Sequence, residues 1–67
     1  MNKALLRSIM VLHNDTNQTL AEYLGLSVKS VNDKINENNT EFKQSEIAAI
    51  KKRYLLSDEQ VSNIFFN

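Results

Sequence analysis

The sequence predicts an all-α protein, a compact bundle of five short helices in a single domain covering residues 1–67. Apolar residues recur three and four positions apart along most of the chain, which is the spacing of one helix face. The alternating pattern typical of strands appears nowhere over a useful length. The chain contains no proline and one glycine, so its turns must be built by Asn, Asp, Ser and Thr side chains that hydrogen-bond locally to the backbone.

The five predicted helices are separated by turns, two of which are clusters of such polar residues at 13–17 and 36–40. The helices are expected at about residues 2–12, 17–24, 28–36, 44–54 and 58–66. The apolar stripes that define them are, in chain order, Leu5, Ile9 and Leu12; Leu20 and Leu24; Val31 and Ile35; Ile47, Ile50 and Tyr54; and Val61, Ile64 and Phe65.

Two hydrophobic residues stand five positions apart around three of the predicted helix starts, as in a hydrophobic staple. They are Leu26 with Val31, Phe42 with Ile47, and Leu56 with Val61. Ser27 and Ser57 are favourable N-caps, and Gln60 completes a capping box with Ser57. Lys43 holds the same place before the fourth helix. Because a lysine side chain accepts no hydrogen bond, either that helix starts elsewhere or stability is lost there.

Composition excludes several classes of function. The absence of cysteine removes disulfides and thiolate metal sites, and a single histidine, His13, builds no metal or catalytic site. No nucleophile motif or phosphate-binding loop occurs, so we expect neither an enzyme nor a cofactor. The first ten residues form neither a secretory signal nor a membrane span, which predicts a cytoplasmic location and no membrane partner.

Most charged and tyrosine side chains are expected to be ordinary surface groups. The formal net charge is zero, with a small basic excess between residues 27 and 53. Lys51, Lys52 and Arg53 have an ordinary explanation in the dipole of the helix they end. Tyr23 and Tyr54 are expected at the edge of the core with hydroxyls in water. The carboxylates expected to be solvated are Asp15, Glu22, Asp33, Glu37 and Glu41.

Residues 17–36 form the most informative segment: a helix, a short turn containing Gly25, and a second capped helix. This order is the helix-turn-helix arrangement. Ala21 is small where the two helices would cross, and Gly25 can take the positive φ that ends the first helix. Leu20, Leu24, Leu26, Val31 and Ile35 would face inward. The outer side of the second helix is then made of Val28, Lys29, Asn32, Asp33 and Asn36.

The sequence resembles the Cro/repressor family of phage and bacterial helix-turn-helix regulators, which have the lambda-repressor-like fold. The resemblance lies in Leu-Ala-Glu-Tyr-Leu-Gly-Leu-Ser at 20–27, Ser-Val-Asn-Asp-Lys-Ile-Asn at 30–36 and Leu-Leu-Ser-Asp-Glu-Gln-Val at 55–61. Ile-Phe-Phe at 64–66 is similar to the end of short single-domain phage repressors. The resemblance implies a transcriptional regulator that binds double-stranded DNA and reads the major groove with its third helix.

By this resemblance, Asn17, Gln18 and Ser27 contact phosphates. Val28, Lys29 and Asn32 would read bases through a thymine methyl, a guanine and an adenine, with Asp33 beside them. Lys43 is expected to contact phosphate. The remaining members of the predicted DNA-binding set are Ser30 and Asn36.

The resemblance also implies a homodimer on a pseudo-palindromic operator, because one recognition helix reads too few bases. Phe66 cannot share the stripe of its neighbour Phe65, since adjacent helical residues point about 100° apart. We therefore expect Phe66, together with Ile64, at the contact between copies. The alternative is a protein-interaction module of the same fold, such as an antirepressor or antitoxin, which the neutral charge would suit.

Overall fold

The computed structural model describes residues 1–66, and within that range the chain forms five α-helices and no strand. Asn67, the last residue of the predicted domain, lies outside the described residues. The all-α prediction is confirmed, and each helix begins and ends within one residue of its predicted position. The helices are α1 (Lys3–Leu12), α2 (Asn17–Leu24), α3 (Val28–Ile35), α4 (Gln44–Tyr54) and α5 (Asp58–Phe65). None of them has the length and apolar character needed to cross a membrane.

Polar caps define four of the helix starts. The side chains of Asn2, Thr16, Ser27 and Ser57 each accept a hydrogen bond from the backbone N–H three residues on. The predicted capping box is present: Gln60 Oε1 accepts from the N–H of Ser57 at 2.8 Å, and the N–H of Gln60 donates to Ser57 Oγ at 3.1 Å.

Lys43 is the N-cap of α4, so the predicted boundary is correct despite the unsuitable residue. Its side chain makes no cap bond, but its backbone N–H donates to Glu46 Oε1 at 2.8 Å. Of the two hydrogen bonds of a capping box, only the one accepted by the Glu46 side chain is therefore formed.

Two helices end on a residue in the left-handed conformation. Gly25 (φ 71°) follows α2, as predicted, and Leu55 (φ 53°) follows α4. In both cases the backbone N–H of the capping residue bonds back to carbonyls of the last helical turn. The same left-handed helix end is thus formed by a glycine after α2 and by a leucine after α4.

The core draws on all five helices. Its fully buried members are Leu6, Leu20, Val31, Ile35, Ile50 and Ile64. The prediction that Ile64 lies at a contact between copies is wrong, because this residue is 0% exposed and shares the inward face of α5 with Val61. Phe65 is partly buried, and its ring packs edge-on against Phe42 with centroids 5.9 Å apart.

Candidate nucleic-acid interface

α2 and α3 pack against each other across a three-residue connection, residues 25–27. The inward residues are those predicted: Leu20, Ala21, Val31 and Ile35 are buried, and Leu24 and Leu26 are partly buried against them. The opposite side of α3 faces outward. Val28 is 41% exposed there, and Lys29 next to it is exposed.

A side-chain hydrogen bond joins the start of α2 to the outward side of α3. Asn17, the first residue of α2, donates from Nδ2 to Oδ1 of Asn32, and both side chains are partly buried. The bond fixes the orientation of the Asn32 amide. Among residues 1–66, Asn32 Nδ2 has no hydrogen-bond partner, so this group is left to donate to an acceptor outside the chain.

Ser27 caps α3 and still has a donor to offer. Its Oγ accepts the backbone N–H of Ser30 at 3.0 Å, which leaves the hydroxyl proton unused by the cap. Gln18 is exposed one residue after Asn17, whereas Ser30 is only partly exposed. The structure therefore joins Asn17, at the start of α2, to Asn32 in the middle of α3, while Ser27 lies at the start of α3, beyond the C-terminal end of α2.

Lys29 and Asp33 form an ion pair one turn apart on α3. Lys29 Nζ lies 2.9 Å from Asp33 Oδ2, and the lysine side chain is 84% exposed. Hydrogen bonds from Lys29 and from Asn38 hold the pKa of Asp33 below its ordinary value. Because exposed pairs of this kind are weak, Lys29 can exchange Asp33 for a stronger acceptor at little expense.

Asn36 and Lys43 lie apart from the other predicted residues. Asn36 caps the C-terminal end of α3, and its Oδ1 accepts from Lys3 Nζ at 3.2 Å. The length of α3, about 12 Å, separates Asn36 from Ser27. Lys43 is exposed at the start of α4. These two residues can extend an interface built around Asn17 and Asn32, but they are not part of that cluster.

Ion pairs reduce the basic surface that the sequence suggested. Lys34 is buried and lies 2.7 Å from Glu46 Oε1, with the two side chains 8% and 12% exposed. Lys51 bonds to Asp58. Arg53 is also paired within the chain, through a network of hydrogen bonds around Asp15.

The Asp15 carboxylate contradicts the expectation of a solvated surface group, because it is 6% exposed and four hydrogen bonds converge on it. Arg53 donates from Nε at 2.6 Å and from Nη2 at 2.8 Å, while the hydroxyls of Tyr54 and Thr19 donate at 2.6 Å each. The bonds from Arg53 hold the pKa of Asp15 far below its ordinary value. Burial raises the pKa of Tyr54, and the contact with Asp15 raises it further. The expectation that this hydroxyl lies in water is therefore wrong, because it donates to Asp15 instead.

The same network brings three helix ends together. The ring of His13, directly after α1, packs on the ring of Tyr54 with centroids 5.0 Å apart. The Arg53 guanidinium lies 4.5 Å from the centre of the Tyr23 ring on α2. Within the described chain, no group of three or more His, Asp or Glu side chains is placed to hold a metal ion.

Sequence reasoning missed one basic residue near the cluster. Arg7 on α1 is exposed and lines the same shallow depression as Thr16 and Asn17. Lys3 and Arg7, four residues apart, were visible as the polar side of α1, but only the packing of α1 reveals that Arg7 adjoins the start of α2.

The chain matches no model of a known protein family, no curated protein and no solved structure.

Proposed function

We propose that this chain is a sequence-specific, double-stranded DNA-binding transcriptional regulator of the Cro/repressor kind. In this proposal α2, the turn at Gly25 and α3 are a helix-turn-helix, and α3 enters the major groove. The observation that carries the proposal is the bond between Asn17 and Asn32. It links Asn17, the residue best placed to contact a phosphate at the start of α2, to the outward amide of Asn32 on α3. A phosphate contact that positions the protein along the DNA backbone would therefore also position the amide that reads a base.

The docking that this geometry favours presents the N-terminal half of α3 to base edges. Val28, Lys29 and Asn32 would meet bases, while Asn17 and Ser27 would donate to phosphates. Gln18 extends the polar edge, and Arg7 adds a cation next to it. Lys43 supplies a further phosphate contact from the start of α4. One α3 reads only a few base pairs, so we propose that two copies bind half-sites about 34 Å apart.

A protein-interaction module is the second candidate, and one observation favours it. The basic residues Lys34, Lys51 and Arg53 are held by carboxylates of the same chain, which leaves a modest positive surface for a polyanion. Against it, the exposed side of α3 carries Lys29 and Asn32, whereas a groove for a partner helix would be lined by apolar residues.

Purified protein is expected to enrich related sites from random duplex DNA and to bind them with strong salt dependence. If Arg7, Lys29 and Lys43 of two copies neutralise about four to six phosphates, log affinity should fall with log salt at a slope of about 4 to 5. Fluorescence titration of the enriched duplex at several salt concentrations measures the slope. Equal affinity for every duplex, or affinity that ignores salt, contradicts the proposal and favours the interaction module.

Lys29→Ala and Lys43→Ala are expected to weaken binding in different ways. Loss of the Lys29 contact should cost about 1 to 3 kcal/mol and relax preference at one or two base pairs, because a base-edge donor disappears. Loss of Lys43 should weaken all duplexes alike and lower the salt slope, as removal of a phosphate contact does. Repeating the selection with both variants tests this. An unchanged preference in Lys29→Ala would exclude α3 as the reading helix in this orientation.

A further inference from the structure

We propose that the cavity beside Phe66 binds a small organic cation, an amine carried on an aromatic or other apolar body. The cavity has a volume of about 280 Å³. It lies where the last turn of α3, the connection from α3 to α4, the first turn of α4 and the end of α5 meet. None of the residues that line it belongs to the predicted DNA-binding set, so this inference does not depend on the proposed function.

The wall of the cavity is largely apolar. Phe42 and Ile47 are buried, and Phe65 is partly buried with its ring edge-on to that of Phe42. Phe66 also lines the cavity and is 60% exposed, so its ring is accessible to a ligand. Sites for small molecules combine apolar walls with a few polar groups and usually measure roughly 300–1,000 Å³. A volume of about 280 Å³ suits a ligand with a single ring.

The charged groups at the cavity leave one carboxylate without a counter-ion. Glu37 lies 3.3 Å from the N-terminal ammonium of Met1, and Lys34 is paired with Glu46. Glu41 is exposed, and among residues 1–66 no cation lies within ion-pair distance of it. A ligand with one positive charge would therefore complement the cavity, whereas an anion would be repelled.

Met1 illustrates the kind of group that this cavity accepts. Its ammonium meets Glu37, while its side chain is only 6% exposed and packs against the core. A positive charge at a carboxylate and an apolar chain against the wall are thus already combined in one residue. An ammonium within about 6 Å of an aromatic ring is also attracted by the negative face of that ring. An aromatic amine with its charge at Glu41 and its body against Phe66 would use both effects.

Two other occupants suit the cavity less well. Phe66 was predicted at a contact between copies, but a two-fold contact centred there would bring Glu37 and Glu41 of one copy towards the same carboxylates of the other. A segment of a partner protein needs a groove that receives several side chains in succession. The single small cavity is better matched to a free amine.

Four probes separate the contributions of charge and apolar body. Phenethylammonium has both, phenethyl alcohol has the ring without the charge, hydrocinnamate has the ring with the opposite charge, and methylammonium has the charge without the ring. Titration followed by nuclear magnetic resonance of backbone amides is expected to shift Glu41, Phe42 and Phe66. We expect a Kd of about 1 mM or lower for phenethylammonium. The alcohol should bind about tenfold more weakly, because it loses the ion pair and the attraction to the rings, and the other two more weakly still.

Variants test whether Glu41 and Phe66 form the site. Glu41→Gln is expected to weaken binding of phenethylammonium about fivefold and to leave that of phenethyl alcohol unchanged. Glu59→Gln is the matched control, because it removes an equally exposed carboxylate at the start of α5, away from the cavity, and should have no effect. Phe66→Ala should weaken both probes, since it removes apolar contact area. Thermal melts of each variant establish that the fold is retained.

The proposal is overturned if phenethylammonium at about ten times the expected Kd shifts none of these amides, or if the alcohol and hydrocinnamate bind as well as the amine. Equal weakening by Glu59→Gln and Glu41→Gln also rejects it. A blocked Phe-Lys dipeptide that binds about tenfold more tightly than the free amine would assign the cavity to a partner protein instead. Self-association that Phe66→Ala abolishes would assign the cavity to a second copy. No measurement includes DNA, so each outcome is independent of the proposed function.

Discussion

Asp15→Asn is expected to lower the free energy of unfolding by about 3 kcal/mol, because the change removes a buried charge on which four donors converge. An asparagine retains one acceptor oxygen but turns an NH₂ group towards donors of Arg53, Tyr54 or Thr19. The connection between α1 and α2 would then lose its link to the end of α4. Urea unfolding followed by far-ultraviolet circular dichroism measures the loss.

The matched control is Asp58→Asn, which removes the charge from an ion pair whose carboxylate is 94% exposed. Its effect on unfolding should be small, since water replaces the lost partner. Tyr54→Phe is an intermediate case, because it removes one of the four bonds and keeps the ring against His13; it should cost about 1 kcal/mol. If Asp15→Asn and Asp58→Asn unfold alike, the network around Asp15 does not stabilise the fold.

The same network predicts a sensitivity to acid. The pKa of Asp15 is lowered by folding, so its contribution to stability is present above its ordinary pKa of 3.8 and is lost as the pH falls below that value. The original chain should therefore lose stability below about pH 4 more steeply than Asp15→Asn, which has no such proton to take up. Parallel acid titrations of the two proteins check the sign.

The helices could be predicted from the sequence because their signals are local. Ser27 and Ser57 bond to backbone groups three residues away. Gly25 is needed only because its own φ is positive. The sequence left two explanations for Lys43 at the N-cap position of α4: a helix that starts elsewhere, or a helix start that has lost stability. The structure decides between them, since Glu46 accepts the Lys43 N–H and the helix starts where the pattern indicated.

Interactions between distant residues could not be predicted in this way. Asp15 and Arg53 are 38 positions apart, and neither has a pattern around it that indicates pairing. The burial of Lys34 has no signal in the sequence, because lysine is seldom buried and its partner, Glu46, comes from the next helix. The apolar stripe of α5 already grouped Ile64 with Val61, but the complete burial of Ile64 follows from the packing of α5 on α1 and α4. For the candidate interface, the sequence indicated Asn17 and Asn32 separately, but not the bond between them.

Glu46→Gln is expected to destabilise the fold by about 2 to 3 kcal/mol, because it leaves the Lys34 ammonium buried without an opposite charge. Glu46 Oε1 accepts from Lys34 Nζ at 2.7 Å and from the Lys43 N–H at 2.8 Å. Burial alone would raise the pKa of Glu46, but these bonds, led by the one from Lys34, outweigh it and the pKa is lowered. The contribution of Glu46 to stability should therefore fade as the pH drops below its ordinary pKa of 4.5.

Lys34→Met is the informative partner to that variant, because an apolar chain of similar length can occupy the same buried space. It should cost less than about 1.5 kcal/mol. In that background Glu46→Gln no longer strands a charge, so the two changes together should be less damaging than their sum by about 2 kcal/mol. Denaturant unfolding of the four proteins closes the cycle. The pair ties α3 to the start of α4, so a coupling near zero would mean that apolar contacts of Val31 and Ile35 alone hold the proposed reading helix in position.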